Sequence, residues 1–149
     1  MAPITESIEV ERSQEEVFKY VDDLSRHGEW QTQIESVQVL TEGPTRVGTR
    51  AREKRRVPGG PRELEYEITE HDPPRRAAFR GLTGPVRPVG SITVEPVGGG
   101  SRYTVELDFE GRGLGKLLLP LVRRDARKQL PKDVARFKEK MEAQIPEAP

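Results

Sequence analysis

Apolar positions alternate in short runs through most of the chain and switch to a helical period near its end. In "ITESIEV" Ile4, Ile8 and Val10 set a strand. The next segment, "SQEEVFKYV", opens with Ser13 and Glu16 in capping-box spacing and repeats Val17, Phe18, Tyr20, Val21 and Leu24 at helical intervals. Ser25 looks like a second cap, opening a short helical turn into "HGEWQTQI", and "IESVQVLTE" reads as a second strand.

After the turn "GPTRVGT" come "TRAREKRRV" and "RELEYEITEHD", joined by "PGGP". A four-residue loop that sets Val57 opposite Arg62 pairs Arg56 with Glu63, Lys54 with Glu65 and Arg52 with Glu67 on a solvated face. Ala51 with Ile68, Glu53 with Tyr66 and Arg55 with Leu64 then share the other face. "DPPRR" turns the chain into "RAAFRGL", and "GPVRP" leads into "VGSITVEPV". A glycine turn gives a second hairpin with Pro96 opposite Ser101, Val94 opposite Tyr103, Ile92 opposite Val105, Gly90 opposite Leu107, and Glu95 against Arg102 outside.

From about Gly115 the period becomes 3.6. Leu114, Leu118, Leu121/Val122, Ala126, Leu130, Val134, Phe137 and Met141 form one predicted stripe, with Arg123, Arg124, Arg127, Lys128, Lys132, Arg136 and Lys140 mostly off it. Pro131 is expected to kink this long C-terminal helix. The fold class is therefore α+β: a strand, two short helices, six more antiparallel strands and one long helix, in a single domain over 1–145 with a frayed tail at 146–149.

Composition narrows what this domain can do. At 149 residues it is long enough to bury one core without staples. With no cysteine, disulfides, thiolate metal sites and cysteine nucleophiles are excluded. Lys+Arg and Asp+Glu both number 25, which argues against a dedicated nucleic-acid binder. The start, "MAPITESIEVERSQ", lacks a signal-peptide pattern, so a cytoplasmic home is expected, and "LLLPLV" is far too short to span a bilayer, so no stable membrane insertion is expected. "GRGLG" follows a strand but not within a βαβ unit; it reads as a flexible hinge rather than a dinucleotide loop. His27 and His71 stand alone, without carboxylates at ligand spacing, so no metal and no cofactor is expected; His71 is placed at an exposed strand end.

The chain resembles the helix-grip superfamily of START-related domains, pollen-allergen-like proteins and polyketide cyclases/dehydrases (SRPBCC). The resemblance rests on "S.EEVF.YVDDLS...EW...IESVQVL", on "VGTRAREKRRVPGGPRELEYEITEHDPPRRAAFRG" and on "GLGKLLLPLVRRDARKQLPKDVARFKEKME". It implies a curved seven-stranded antiparallel sheet gripping the C-terminal helix around an apolar cavity, in members that bind lipids, sterols, quinones, polyketides or hormones. It also implies that Trp30 plugs one end of the grip, and it transfers no catalytic residue.

The expected cavity wall is Trp30, Ala51, Arg55, Ile68, Phe79, Ile92, Val105, Leu118 and Val122, with Glu53, Tyr66 and Tyr103 as polar members. Glu53 and Tyr66 are the best candidates for acid–base chemistry or for anchoring a ligand hydroxyl, with Tyr66 as hydrogen-bond partner of Glu53; the plainer alternative pairs Glu53 with Arg55, Arg80 or another nearby arginine, or leaves it near a wet cavity mouth. Arg55, near the hairpin tip, is expected to reach toward solvent. Three functions remain open: binding of a small hydrophobic or amphiphilic ligand, a cyclase/dehydratase or lyase using the same cavity, and a protein-interaction module. A homodimer is compatible with all three.

Overall fold

A computed structural model describes residues 2–144, so the expected tail at 146–149 lies outside the described residues. The elements are β1 (Ile4–Val10), α1 (Gln14–Asp22), a 3₁₀ helix (Leu24–Glu29), β2 (Ile34–Val39), β3 (Arg50–Val57), β4 (Gly60–Asp72), β5 (Arg76–Gly81), β6 (Val86–Val97), β7 (Gly100–Gly111), a second 3₁₀ helix (Gly113–Leu118) and α2 (Leu119–Glu142). All seven strands form one antiparallel sheet in the order β1-β7-β6-β5-β4-β3-β2. This is the predicted helix-grip architecture, with both short helical elements between β1 and β2.

Ser13 caps α1 as its spacing predicts: its Oγ accepts from the Glu16 backbone N–H at 3.2 Å and donates to Glu16 Oε1 at 3.1 Å. Ser25 does not cap the next element. It lies inside the 3₁₀ helix, and its hydroxyl donates to Asp23 Oδ1 at 2.6 Å.

The β6–β7 register agrees with the sequence pattern at every predicted pair. The β3–β4 register is displaced from the expectation by two residues, with Val57 opposite Gly60, Arg52 opposite Glu65, Glu53 opposite Leu64 and Ala51 opposite Tyr66. The cause is a two-residue turn at Pro58-Gly59 in place of a four-residue loop. Proline supplies the fixed φ of the first central position, and Gly59, at φ 94°, occupies the second, which requires positive φ. A slip of two leaves every side chain on its predicted face. Arg52 now donates to Glu65 at 2.7 Å, while Arg56 reaches Glu35 of β2 at 2.9 Å.

Two apolar clusters fill the grip. The larger joins Val17, Phe18, Tyr20 and Val21 of α1 to Trp30, to Val94 and Tyr103 of the sheet, and to Ala126, Leu130, Val134, Phe137 and Met141 of α2. Phe137 is its centre, stacked on Tyr103 at 4.2 Å between centroids and meeting Trp30 edge-on at 5.0 Å. Burying such a ring contributes about 2–3 kcal/mol. The smaller cluster packs Leu24, Ala51, Tyr66 and Ile68 with Phe79 and Val37.

α2 runs continuously through Pro131. Its buried stripe begins at Ala126: Leu114, Leu118 and Leu121, predicted to face inward, are exposed. Arg123, predicted on the outer face, is instead buried; its guanidinium pairs with Asp108 of β7 and donates to the Ala2 carbonyl at 2.7 Å. A buried arginine demands such partners, and these two tie the start of α2 to β7 and to the chain ahead of β1. "GRGLG" is no loose hinge. Arg112 donates its backbone N–H to the Pro85 carbonyl at 2.8 Å, and a Cβ at Gly115 would stand 2.1 Å from that same oxygen.

Candidate functional site: a cavity beneath the C-terminal helix

The C-terminal third of α2 seals the core, whereas its first four turns roof a cavity of about 320 Å³ over the concave sheet. Helical spacing explains the roof. Val122, Ala126, Leu130 and Val134 recur every four residues and line the cavity, and Asp125, Gln129 and Asp133 form a parallel row one position earlier. The floor comes from inward-facing strand positions: Glu53 and Arg55 on β3, Leu64, Tyr66 and Ile68 on β4, Phe79 on β5, Ile92 on β6, and Tyr103, Val105, Leu107 and Phe109 on β7. Period-two alternation puts these on one face.

The predicted wall residues Trp30, Glu53, Arg55, Tyr66, Ile68, Phe79, Ile92, Tyr103, Val105, Leu118 and Val122 all border this cavity. Ala51 does not; it is fully buried against Leu24, Tyr66 and Ile68, behind the lining. Leu118 touches the cavity from its rim, being itself exposed. Trp30 stands between cavity and core, against Tyr20, His27 and Phe137.

Arg55 departs from its expected course toward solvent. It folds inward, donating from Nε to Glu53 Oε1 at 3.0 Å, and its guanidinium also reaches Gln31 Oε1 and Gln33 Oε1. Gln33 in turn donates to Asp125 Oδ2 at 3.0 Å. Glu53 therefore has an ionic partner, which satisfies a buried carboxylate that alternation alone would leave stranded. The expected Glu53–Tyr66 hydrogen bond is not formed. The Tyr66 ring packs edge-on against Phe79, and its hydroxyl is buried without a hydrogen-bond partner among the described residues. Burial, then the Glu53 charge, hold that hydroxyl firmly protonated.

Asp133 is the polar residue that sequence reasoning missed. It is 8% exposed, and burial pushes its carboxyl up to about 6, opposed by a 3.2 Å hydrogen bond from Gln129 and by the charge of Arg55. Its signal was present: on a helix, position 133 shares a face with 126, 129 and 130. His27 borders the cavity with Nε2 2.6 Å from the Val21 carbonyl, and burial lowers its basicity. His71, expected to be exposed, is largely covered and pairs with Asp22 at 2.9 Å. Among the described residues there is no group of three or more His, Asp or Glu side chains arranged to hold a metal ion, and no helix is long and apolar enough to cross a membrane.

A family model described as polyketide cyclase / dehydrase and lipid transport matches residues 1–142. An uncharacterised protein of Mycobacterium tuberculosis is 30% identical over 120 residues, 76% of this chain and 80% of that protein. The crystal structure of an aromatase/cyclase from Streptomyces sp. R1128 superposes with a TM-score of 0.80 at 17% identity, covering 94% of this chain and 93% of that one. A START superfamily protein from Mycobacterium smegmatis does so at 0.77 and 16% identity, covering 95% and 98%. At these identities the two structures speak for fold. With the family model spanning the sheet, the cavity and the whole of α2, the chain belongs to the polyketide cyclase / dehydrase and lipid transport family, and it shares the fold of those two structures.

Proposed function

We propose that the protein binds a small, uncharged amphiphile in the cavity between sheet and α2. The observation that carries this reading is the cavity itself. Its volume of about 320 Å³ lies at the lower end of the roughly 300–1,000 Å³ usual for small-molecule sites, and its apolar wall holds a few placed polar groups. Burial of the ligand's apolar body supplies the driving force, and the Tyr66 hydroxyl donates to a ligand oxygen. Glu53 and Arg55 neutralise each other, which favours a neutral ligand over an acid or an amine.

The test is extraction and native mass spectrometry of the purified protein, followed by titration with the neutral fluorescent probe N-phenyl-naphthylamine. The wild type should hold a neutral amphiphile or take up the probe. Val122→Arg should abolish uptake, and Tyr66→Phe should weaken an oxygen-bearing ligand about tenfold, the worth of one buried hydrogen bond. A wild-type protein that holds neither would sink the proposal.

Asp133 favours a second reading. A buried carboxyl with a pKa of about 6, beside a cavity that also holds Arg55, is poised to give and take a proton near neutral pH, as a cyclase or dehydratase requires. Glu53, engaged by Arg55, is less free for that task than the sequence suggested. In an enzyme, Asp133→Asn would retain the extracted ligand but stop its conversion; a wild type that leaves the ligand's mass and absorbance unchanged argues for a binder.

A further inference from the structure

Leu114, Leu117, Leu118 and Leu121 are 82%, 77%, 44% and 51% exposed. They line the second 3₁₀ helix and the first turn of α2, Leu114 and Leu117 one 3₁₀ turn apart and Leu118 and Leu121 one turn apart where α2 begins, and their joint exposure makes an apolar ridge. The large exposed hydrophobics elsewhere among the described residues, Val39, Leu40 and Val47, belong to β2 and the segment after it. A ridge of four leucines is larger than the scattered apolar exposure of an ordinary surface.

Charge says what covers it. From Gly111 to Arg124 the sequence has no Asp or Glu, while Arg112, Lys116 and Arg124 are exposed around the ridge. Arg127 and Lys128 extend the cationic surface. The nearby acids are Asp108, paired with Arg123; Asp125, bonded to Gln33; and Glu110, exposed at the border. The ridge is also held in place, because Gly115 lies against the Pro85 carbonyl. It adjoins the cavity too, since Leu118 belongs to both.

We propose that this ridge docks on the surface of an anionic lipid bilayer, its leucines entering the headgroup boundary and Arg112, Lys116 and Arg124 facing lipid phosphates. Apolar residues rimmed by cations are the pattern of a helix that lies in an interface without spanning it. A second copy of this chain fits poorly, because a two-fold contact centred here would set Lys116 and Arg112 against their own copies, with Glu110 at the border as the exposed carboxylate beside them. Docking would bring the cavity rim to the bilayer, yet it does not depend on the cavity being filled.

Co-sedimentation with phosphatidylcholine vesicles, with and without about one third phosphatidylglycerol, reads docking directly. Wild type should sediment with the anionic vesicles and be released as salt rises well above about 0.1 M. Leu117→Ser with Leu121→Ser should lower the bound fraction about tenfold, and Lys116→Glu should do so on anionic vesicles, with circular dichroism unchanged because these side chains are exposed. The proposal is overturned by wild type that stays in the supernatant, by variants that sediment as wild type does, or by a dimer in light scattering that the leucine variants dissolve. Probe uptake is measured separately in detergent-free buffer, so loss of docking with uptake intact, or the reverse, separates this proposal from the cavity reading.

Discussion

Glu53 and Asp133 both face the cavity, but Glu53 has a guanidinium at 3.0 Å while Asp133 has one amide donor. Burial pushes the Asp133 carboxyl up to about 6. Because the folded-state pKa of Asp133 lies above its unfolded value, its protonated form stabilises the fold. That contribution is complete below about pH 4 and is lost as pH rises through about 6. A shift from 3.8 to about 6 corresponds to at most about 3 kcal/mol. Urea unfolding of wild type and Asp133→Asn should therefore give a difference that moves toward the variant between about pH 4 and pH 7; a difference flat in pH refutes the buried, proton-holding carboxyl. Alternation was enough to put Glu53 and Tyr66 on the inner face. It could not choose their partners, because whether Arg55 bends inward depends on Gln31 and Gln33, which reach it from the segment before β2.

Among the elements, hairpins were legible where the turn chemistry had one solution. "GGG" closes with a two-residue glycine turn that sets Ile92 opposite Val105 and Val94 opposite Tyr103, and that register holds. "PGGP" allowed two loops that differ by two residues and keep the same faces, so face patterning could not separate them; only the conformational demand of Gly59 does. The start of α2 was misread for another reason. A helical period shows that Leu114, Leu118 and Leu121 share a face, but not what that face meets, and here Arg123 with Asp108 turns the opposite side inward. The turn before α2 depends on a bare Cα. Gly115→Ala should cost about 2 kcal/mol or more in thermal or urea unfolding, since the methyl would strike the Pro85 carbonyl. An unchanged midpoint would mean that this segment is not packed as described.

For the molecule as a whole, the sheet and α2 enclose more room than their side chains fill, and that room carries a stability cost. Ile92→Trp should fill part of it, raising the melting temperature by a few degrees while excluding the probe. A variant that melts higher yet still takes up the probe would place the binding space elsewhere. The helix-grip architecture was readable from the order and period of the elements, since one long amphipathic helix and a run of antiparallel strands have few ways to cover each other. The size of the cavity was not, because it depends on how far Phe137, Trp30 and Tyr103 hold α2 from the sheet.

The two outer strands of the sheet have a colloidal consequence. A chain of formal net charge zero at pH 7 gains little protection from mutual repulsion, and an open strand would invite further chains to add on. On β1 and just past it, α2 takes up backbone groups with side chains: Lys138 donates to the Glu9 carbonyl at 2.7 Å, and Glu142 accepts the Glu11 N–H at 2.9 Å. On β2 the ladder is broken by a bulge between Ile34 and Ser36, and Glu35 there is held by Arg56 and Lys54. Edge-to-edge addition of further chains is hindered at both outer strands, by side chains of α2 at β1 and by the bulge at β2.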